Sequence, residues 1–179
     1  MISKWQKIQE KFILKSRVFS YSQIERASTI TPQKKNIFDI ITCPPWINVI
    51  ALTEKKEVVF VRQYRHGIDD ITLEIPGGVC HPQEDPMISA KRELSEETGY
   101  RAQLWTNLGK VHANPAFMTN TCHFFLAQNL SPGLQELDPD EEIDIQLIPI
   151  KEVYELISAG KISHALVVAA FFFYRMKYE

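Results

Sequence analysis

The apolar positions change period several times along the chain, and each change predicts an element. Lys11-Phe12-Ile13-Leu14 and Val18 to Ile24 are rich in β-formers that alternate or run together, and Ile37 to Thr42 repeats the pattern after the turn signal Thr31-Pro32-Gln33-Lys34-Lys35-Asn36. These stretches predict a small N-terminal antiparallel β meander, ended by Cys43-Pro44-Pro45. Trp46 to Thr53 reads as a buried strand and Glu54 to Glu57 as a charged hairpin loop. Val58 to Arg65 is a strand that begins apolar and ends basic, so its end emerges at a rim. Ile71 to Ile75 is a short strand leading into the turn Pro76-Gly77-Gly78. Further strands are expected at Leu108 to His112, Cys122 to Ala127 and Ile143 to Ile148, with loops over 113–120 and 128–140. Two helices close the chain. The first runs from Ile150 to Ala159, stopped by Gly160; the second, capped by Ser163, is apolar from Ala165 to Tyr174 and then charged. That apolar run is about half of what a bilayer span requires, so it is read as a buried helix.

The segment between the two halves of this pattern follows a different rule. Asp85-Pro86 is a helix start, with a capping carboxylate and a proline where the missing N–H costs nothing. Gly99 is a helix stop. Between them Glu93, Glu96 and Glu97 share one face, while Met87, Ala90, Leu94 and the stem of Lys91 are set to pack on a core. Like charges four apart weaken a bare helix by a few tenths of a kcal/mol, and carboxylates near its C-terminal end oppose the dipole. A hard divalent cation on that face removes both penalties, and oxygen-only ligands suit Mg²⁺ or Mn²⁺. The competing reading is a solvated acidic face.

Composition narrows the partners. The chain has 179 residues, a net charge of −2, and 45% hydrophobic and 23% charged residues, the profile of one soluble domain without a general polyanion-binding surface. A nucleic-acid partner and a membrane partner are therefore not expected. Cys43, Cys80 and Cys122 have no CxxC spacing and read as reduced thiols. The five histidines lack zinc-type spacing, and the N-terminus lacks a signal-peptide core, so a cytoplasmic location is expected. Neither GxxxxGK[ST] nor GxGxxG occurs, which excludes Walker-type and Rossmann readings of the turn at 76–78.

Read as a whole, the acidic segment resembles a family signature. From Gly78, five residues lead to Glu84; seven more lead to Arg92-Glu93-Leu94; one residue then precedes Glu96-Glu97, and one more precedes Gly99-Tyr100. This resembles the Nudix box, G-x(5)-E-x(7)-R-E-U-x-E-E-x-G-U, with every fixed position met and an aromatic Tyr100 at the last apolar one. The resemblance implies an α/β (α+β) fold, a Nudix-type α/β/α sandwich with a mixed sheet, here preceded by the N-terminal meander. It implies one Nudix hydrolase domain over 1–179, with residues 1–45 as a dimer-forming β portion and 46–179 as the catalytic core, and hence a homodimer. It implies attack of water on a pyrophosphate with Mg²⁺ (Mn²⁺ also suits), two or more ions per site. By motif position, Glu93 and Glu97 are the principal metal ligands, Glu96 is a further ligand or a bridge through water, and the carbonyl of Gly77 is an added one. Arg92 with Glu84 is the pair that holds the loop on the helix, against a plain pairing of Arg92 with Glu96.

Pro115 lies 16 residues beyond Gly99 (115 − 99), which resembles the ADP-ribose pyrophosphatase branch, as do the stretch 46–78 and the segment 156–161. The sequence departs from that branch at Asn120, where an acid is common; this leaves room for other nucleoside diphosphate sugars. Arg65 and Arg62 are candidates for diphosphate or ribose contacts, against rim ion pairs with Glu74 or Asp69. Trp46, Tyr64 and Phe117 are candidates for base stacking, each weighed against a core or interface role, and Pro115 joins them as a substrate-side residue. The acidic run 138–142 is the expected place of the general base: Glu141 first, then Glu142 and Asp140, against a solvated acidic turn. The expected reaction is cleavage of ADP-ribose or another nucleoside diphosphate sugar to a nucleoside monophosphate and a sugar phosphate. The alternatives are another nucleotide (triphosphate, dinucleoside polyphosphate, coenzyme A or capped RNA) or a non-catalytic nucleotide sensor.

Overall fold

β4, Trp46–Ala51, is the strand on which the larger of two compact units is built. It is buried almost throughout because both of its faces are covered. In this computed structural model, which describes residues 2–139 and 141–179, the chain divides into Met1–Pro44 with His112–Thr121, and Pro45–Val111 with Cys122–Glu179.

The first unit holds β1 (Trp5–Lys15), β2 (Ser20–Ser28) and β3 (Lys35–Thr42), an antiparallel meander in that order. β1 begins earlier than its apolar core at Lys11–Leu14 suggests; pairing with β2 extends it to Trp5. The loop 113–120 bonds to β3 through Ile41 N–H to Phe117 O (2.8 Å) and Thr119 N–H to Ile41 O (3.1 Å).

The second unit has two sheets. One runs β7 (Gly77–Val79), β4, β9 (Thr121–Ser131) and β8 (Arg101–His112); the other runs β10 (Ile143–Pro149), β5 (Glu57–Arg65) and β6 (Asp70–Glu74). β4 pairs parallel with β9 and antiparallel with β7, so the sheet is mixed, as expected. Successive side chains of a strand face opposite ways, and here both faces are apolar. Ile47, Val49 and Ala51 of β4, with Phe125 and Ala127 of β9, pack with Ala90 and Leu94 of α1 (Pro86–Thr98). Ile50, Phe124 and Leu126 pack on the other side with Val153 of α2 (Ile150–Ser158) and with Val167, Ala170 and Phe171 of α3 (Ala165–Tyr178). Helices therefore cover both faces of the sheets.

Four local expectations change. Gly77–Val79, expected as a turn, is a strand paired with β4. β8 begins at Arg101 rather than Leu108, because its exposed first half takes strand form beside β9 and not from its own pattern. α3 is capped by His164, not Ser163: its Nδ1 accepts the Leu166 N–H at 3.2 Å. Lys91 is exposed; Ser89 and Glu97 are buried on the core side instead.

Candidate active site

α1 starts where Asp85 accepts the Met87 N–H (2.8 Å) and stops at Gly99, whose φ of 71° is the left-handed cap geometry. Those limits place Glu93, Glu96 and Glu97 on the turns that face β7. Gly78 permits this approach. A Cβ there would collide with the Glu93 carboxylate, and one at Gly77 would lie 2.5 Å from Ile47 O.

Glu97 is only 3% exposed, and its Oε2 accepts the Gly77 N–H at 2.9 Å. Burial drives its carboxyl well above the usual range. The Gly77 N–H opposes this, the charges of Glu93 and Glu141 add to it, and Arg65 offsets part. Glu93 is raised too, first by burial; Arg92, which pairs with it at 2.9 Å, pulls the other way, while Glu96 and Glu141 raise it. Glu96 is more open and takes Arg92 Nη1 at 2.8 Å.

Arg92 holds both readings of its partner at once. It pairs with Glu96, and through Nη2 it reaches Glu84 (3.4 Å) and the carbonyl of Val79 (3.1 Å). Burial works against its charge, but Glu93, Glu84 and Glu96 hold its pKa above the ordinary value. Glu84 lies at the opposite extreme from Glu97: the Ser89 hydroxyl (2.7 Å), the His81 N–H (3.1 Å) and Arg92 hold its carboxyl down to about 2.

Arg65 donates from Nε (2.8 Å) and Nη2 (2.7 Å) to Glu74, a 1%-exposed carboxylate that also accepts the Thr72 hydroxyl at 2.6 Å. Burial alone would raise Glu74, but the bonds from Arg65 and Thr72 bring it below the ordinary value. The expected ion pair of Arg65 is thus present, as a forked one. Nη1 takes no part in it, and the charges of Glu97 and Glu141 act on the same guanidinium. Arg62 is exposed and stands 3.9 Å from Asp144 across the β5–β10 pair.

Glu93 and Glu96 therefore meet at Arg92, with Gly77 beside Glu97; Arg65 reaches Glu97 through its charge and bonds Glu74. Glu141 is exposed, yet its charge acts on Glu93, Glu97 and Arg65 alike. Its N–H donates to Asp138 O at 2.9 Å and its Oε2 accepts the Asp138 N–H at 3.3 Å. Glu142 is exposed next to it, and Asp140 lies outside the described residues. Trp46 is half-buried against the core that α3 covers, the structural role set beside stacking. Tyr64 is exposed and hydrogen-bonds Asp69. Pro115 and Phe117 belong to the loop of the first unit. Sequence reasoning did not find Thr72 or Ser89; no spacing rule links either hydroxyl to the carboxylate it serves.

The donor set fits a hard divalent cation. Glu97 is buried with two further carboxylates acting on it, and one N–H and one guanidinium do not bring it back into the usual carboxylate range. A buried anion in that position is completed by a cation, and all-oxygen ligands select Mg²⁺ or Mn²⁺. Among the described residues no three His, Cys, Asp or Glu side chains are arranged around a single metal position.

The family profile described as NUDIX domain matches residues 44–171. An ADP-ribose pyrophosphatase of Bacillus subtilis (strain 168) is 29% identical over 175 residues, covering 95% of each chain. A methanol dehydrogenase activator of Bacillus methanolicus is 33% identical over 134 residues, 74% of this chain and 72% of that one. A solved structure of an ADP compounds hydrolase superposes with a TM-score of 0.87 at 21% identity, covering 98% of this chain and 95% of that one, a likeness of fold.

Proposed function

Because the chain belongs to the NUDIX family and is a hydrolase of pyrophosphate bonds, we propose that it cleaves ADP-ribose or another nucleoside diphosphate sugar to a nucleoside monophosphate and a sugar phosphate. The observation that carries this reading is the pair of carboxylates that α1 presses onto the glycine strand: buried Glu97 bonded to the Gly77 N–H, and Glu93 packed against Gly78. A cluster of carboxylates held against its own repulsion fits a site that works with cations on an anionic substrate. The ADP-ribose pyrophosphatase relative that spans nearly the whole chain supports the substrate class, and so do relatives named GDP-mannose pyrophosphatase and ADP compounds hydrolase NudE.

Glu93, Glu97 and Glu96, with the carbonyl of Gly77, would hold the Mg²⁺ or Mn²⁺ ions, two or more per site. When bound, such ions neutralise the diphosphate and lower the pKa of water. The chain's own residues do the rest. Arg65, braced by Glu74, offers Nη1 to a diphosphate oxygen; Arg62, three residues earlier on the strand, faces the other side, so Arg65 is the nearer candidate. Glu141 accepts the proton of the attacking water, with Glu142 the next choice. Arg92 and Glu84 keep the loop before α1 against the helix, so that Gly77 and Gly78 stay beside Glu97 and Glu93. Trp46 offers a ring for the base at the start of β4.

The test is a panel of ADP-ribose, ADP-, GDP- and UDP-sugars, ATP and diadenosine polyphosphates, incubated with Mg²⁺ and resolved by chromatography. Nucleoside monophosphate released from sugar nucleotides, abolished by EDTA and restored by Mg²⁺, is the expected result. Glu97→Gln should lower turnover by roughly a hundredfold or more with the circular dichroism spectrum unchanged. Turnover only of triphosphates or dinucleotides refutes the substrate class; nucleotide binding without any turnover favours a sensor.

A further inference from the structure

The end of α1 is where the acidic loop is held. A helix leaves its last carbonyls without intrahelical donors. In α1, Ser95 O accepts the Gly99 N–H at 2.8 Å and Leu94 O accepts the Thr98 hydroxyl. The carbonyls of Glu96 and Glu97 receive donors from the segment between β9 and β10: Glu136 N–H reaches Glu96 O at 2.9 Å, and Gln135 Nε2 reaches Glu97 O at 2.6 Å. The same Nε2 lies 3.4 Å from the carbonyl of Ile143, the first residue of β10. The two backbones are in close contact here as well. A Cβ on Gly99 would lie 2.6 Å from Gly133 O, and one on Gly133 would lie 2.7 Å from Gly99 O.

One side-chain amide therefore joins both ends of the acidic loop to the helix of the carboxylate cluster. Glu141 sits two residues before Ile143, and its charge acts on Glu93 and Glu97. Without that amide, only the Glu136 N–H and the close approach of Gly133 to Gly99 hold this segment to the helix, both well before Glu141. An amide suits the position because it carries two donor hydrogens and no charge, and so can serve two carbonyls at once. A glutamate there would present only acceptors to them.

We propose that Gln135 is a positioning residue that ties the segment carrying Glu141 to the end of the helix that bears Glu93 and Glu97, an inference that rests on Glu141 being the general base. Its effect on the reaction is transmitted through Glu141 and not through the fold at large.

The experiment is a double-mutant cycle with ADP-ribose and Mg²⁺, joined to amide hydrogen exchange on the peptide covering 133–142. Gln135→Ala should lower kcat about tenfold or more while KM stays within about twofold. In the Glu141→Gln background the same substitution should cause no further loss. Exchange across 136–142 should speed up in Gln135→Ala with the amides of α2 and α3 unchanged. Gln135→Asn, which keeps the amide but is one methylene shorter, replaces the alanine variant if that one fails to fold. Equal fractional losses in both backgrounds overturn the inference and leave the proposed function standing. Full activity of Glu141→Gln removes both the base and the inference. If no nucleotide is turned over at all, the proposed function falls first, and unchanged exchange in Gln135→Ala overturns the tether separately.

Discussion

Glu84 and Glu97, at the two ends of α1, are driven in opposite directions, because donors dominate around the first and burial around the second. Glu84 has a hydroxyl, a backbone N–H and a guanidinium, and its pKa is held at about 2. Glu97 is buried with one backbone N–H bonded to its carboxylate and is raised. A folded-state pKa below the unfolded value stabilises the protein above the ordinary carboxylate range, and that stability is lost as pH falls through the folded pKa. The thermal stability of the protein should therefore fall as pH drops from 4.5 to about 2, through Glu84. Glu84→Gln should flatten that part of the profile and cost about 1 kcal/mol at neutral pH, the amide keeping an acceptor for the same donors. Parallel profiles for the two proteins would assign the acid sensitivity elsewhere. The pairing of Glu84 with Arg92 was legible in the motif spacing. The Ser89 hydroxyl was not, because which side of a helix is buried against a neighbouring loop is set by the neighbour.

At the scale of elements, α1 shows how far local chemistry reaches. Asp85-Pro86 and Gly99 specify its start and stop in sequence, and the same residues cap it in the fold. Its orientation needs a partner, β7, which has only three residues and no β-forming pattern beyond Val79. β7 exists because Gly77 and Gly78 lie against Asn48 and Ile47 of β4. Gly78→Ala tests that contact, since its Cβ would meet the Glu93 carboxylate, the free end of a flexible side chain. The expected outcome is a fold that persists, with the unfolding midpoint lowered by no more than a few degrees, and a fall in kcat/KM of about tenfold or more. Unchanged kinetics would show that the position of Glu93 does not depend on the strand. The first half of β8 and the His164 cap were missed for the same reason: an exposed strand and a histidine cap are decided by the neighbouring strand and by the nearest free N–H.

For the molecule as a whole, the first unit leaves apolar side chains open on its long outer strand. Ile8, Phe12 and Leu14 of β1 are all more than two-fifths exposed. Exposed apolar side chains on an edge strand suit association with another chain. A homodimer is the expected state, read as a light-scattering mass twice the 20.7 kDa of the chain; a mass of one chain would refute it. No helix among the described residues is long and apolar enough to cross a membrane, α3 included. All three cysteines are free, and burial pushes the Cys122 thiol up to about 12, so it stays an unreactive packing group.

What the sequence determined by itself was whatever local chemistry encodes. The capped helix at 86–98, the strands with doubly apolar faces, the fixed spacing of Glu84, Arg92, Glu93, Glu96 and Glu97, and the fold class all follow from period, caps and motif. Tertiary structure decided the rest, because it depends on which groups are brought together across long separations. It turned Arg65 onto Glu74 and made Ser89 the partner of Glu84. It buried Glu97 against Gly77 and laid the amide of Gln135 across the end of the helix that Glu97 belongs to. A carboxylate's charge state and a loop's position are properties of surroundings, and those surroundings come from residues tens of positions away.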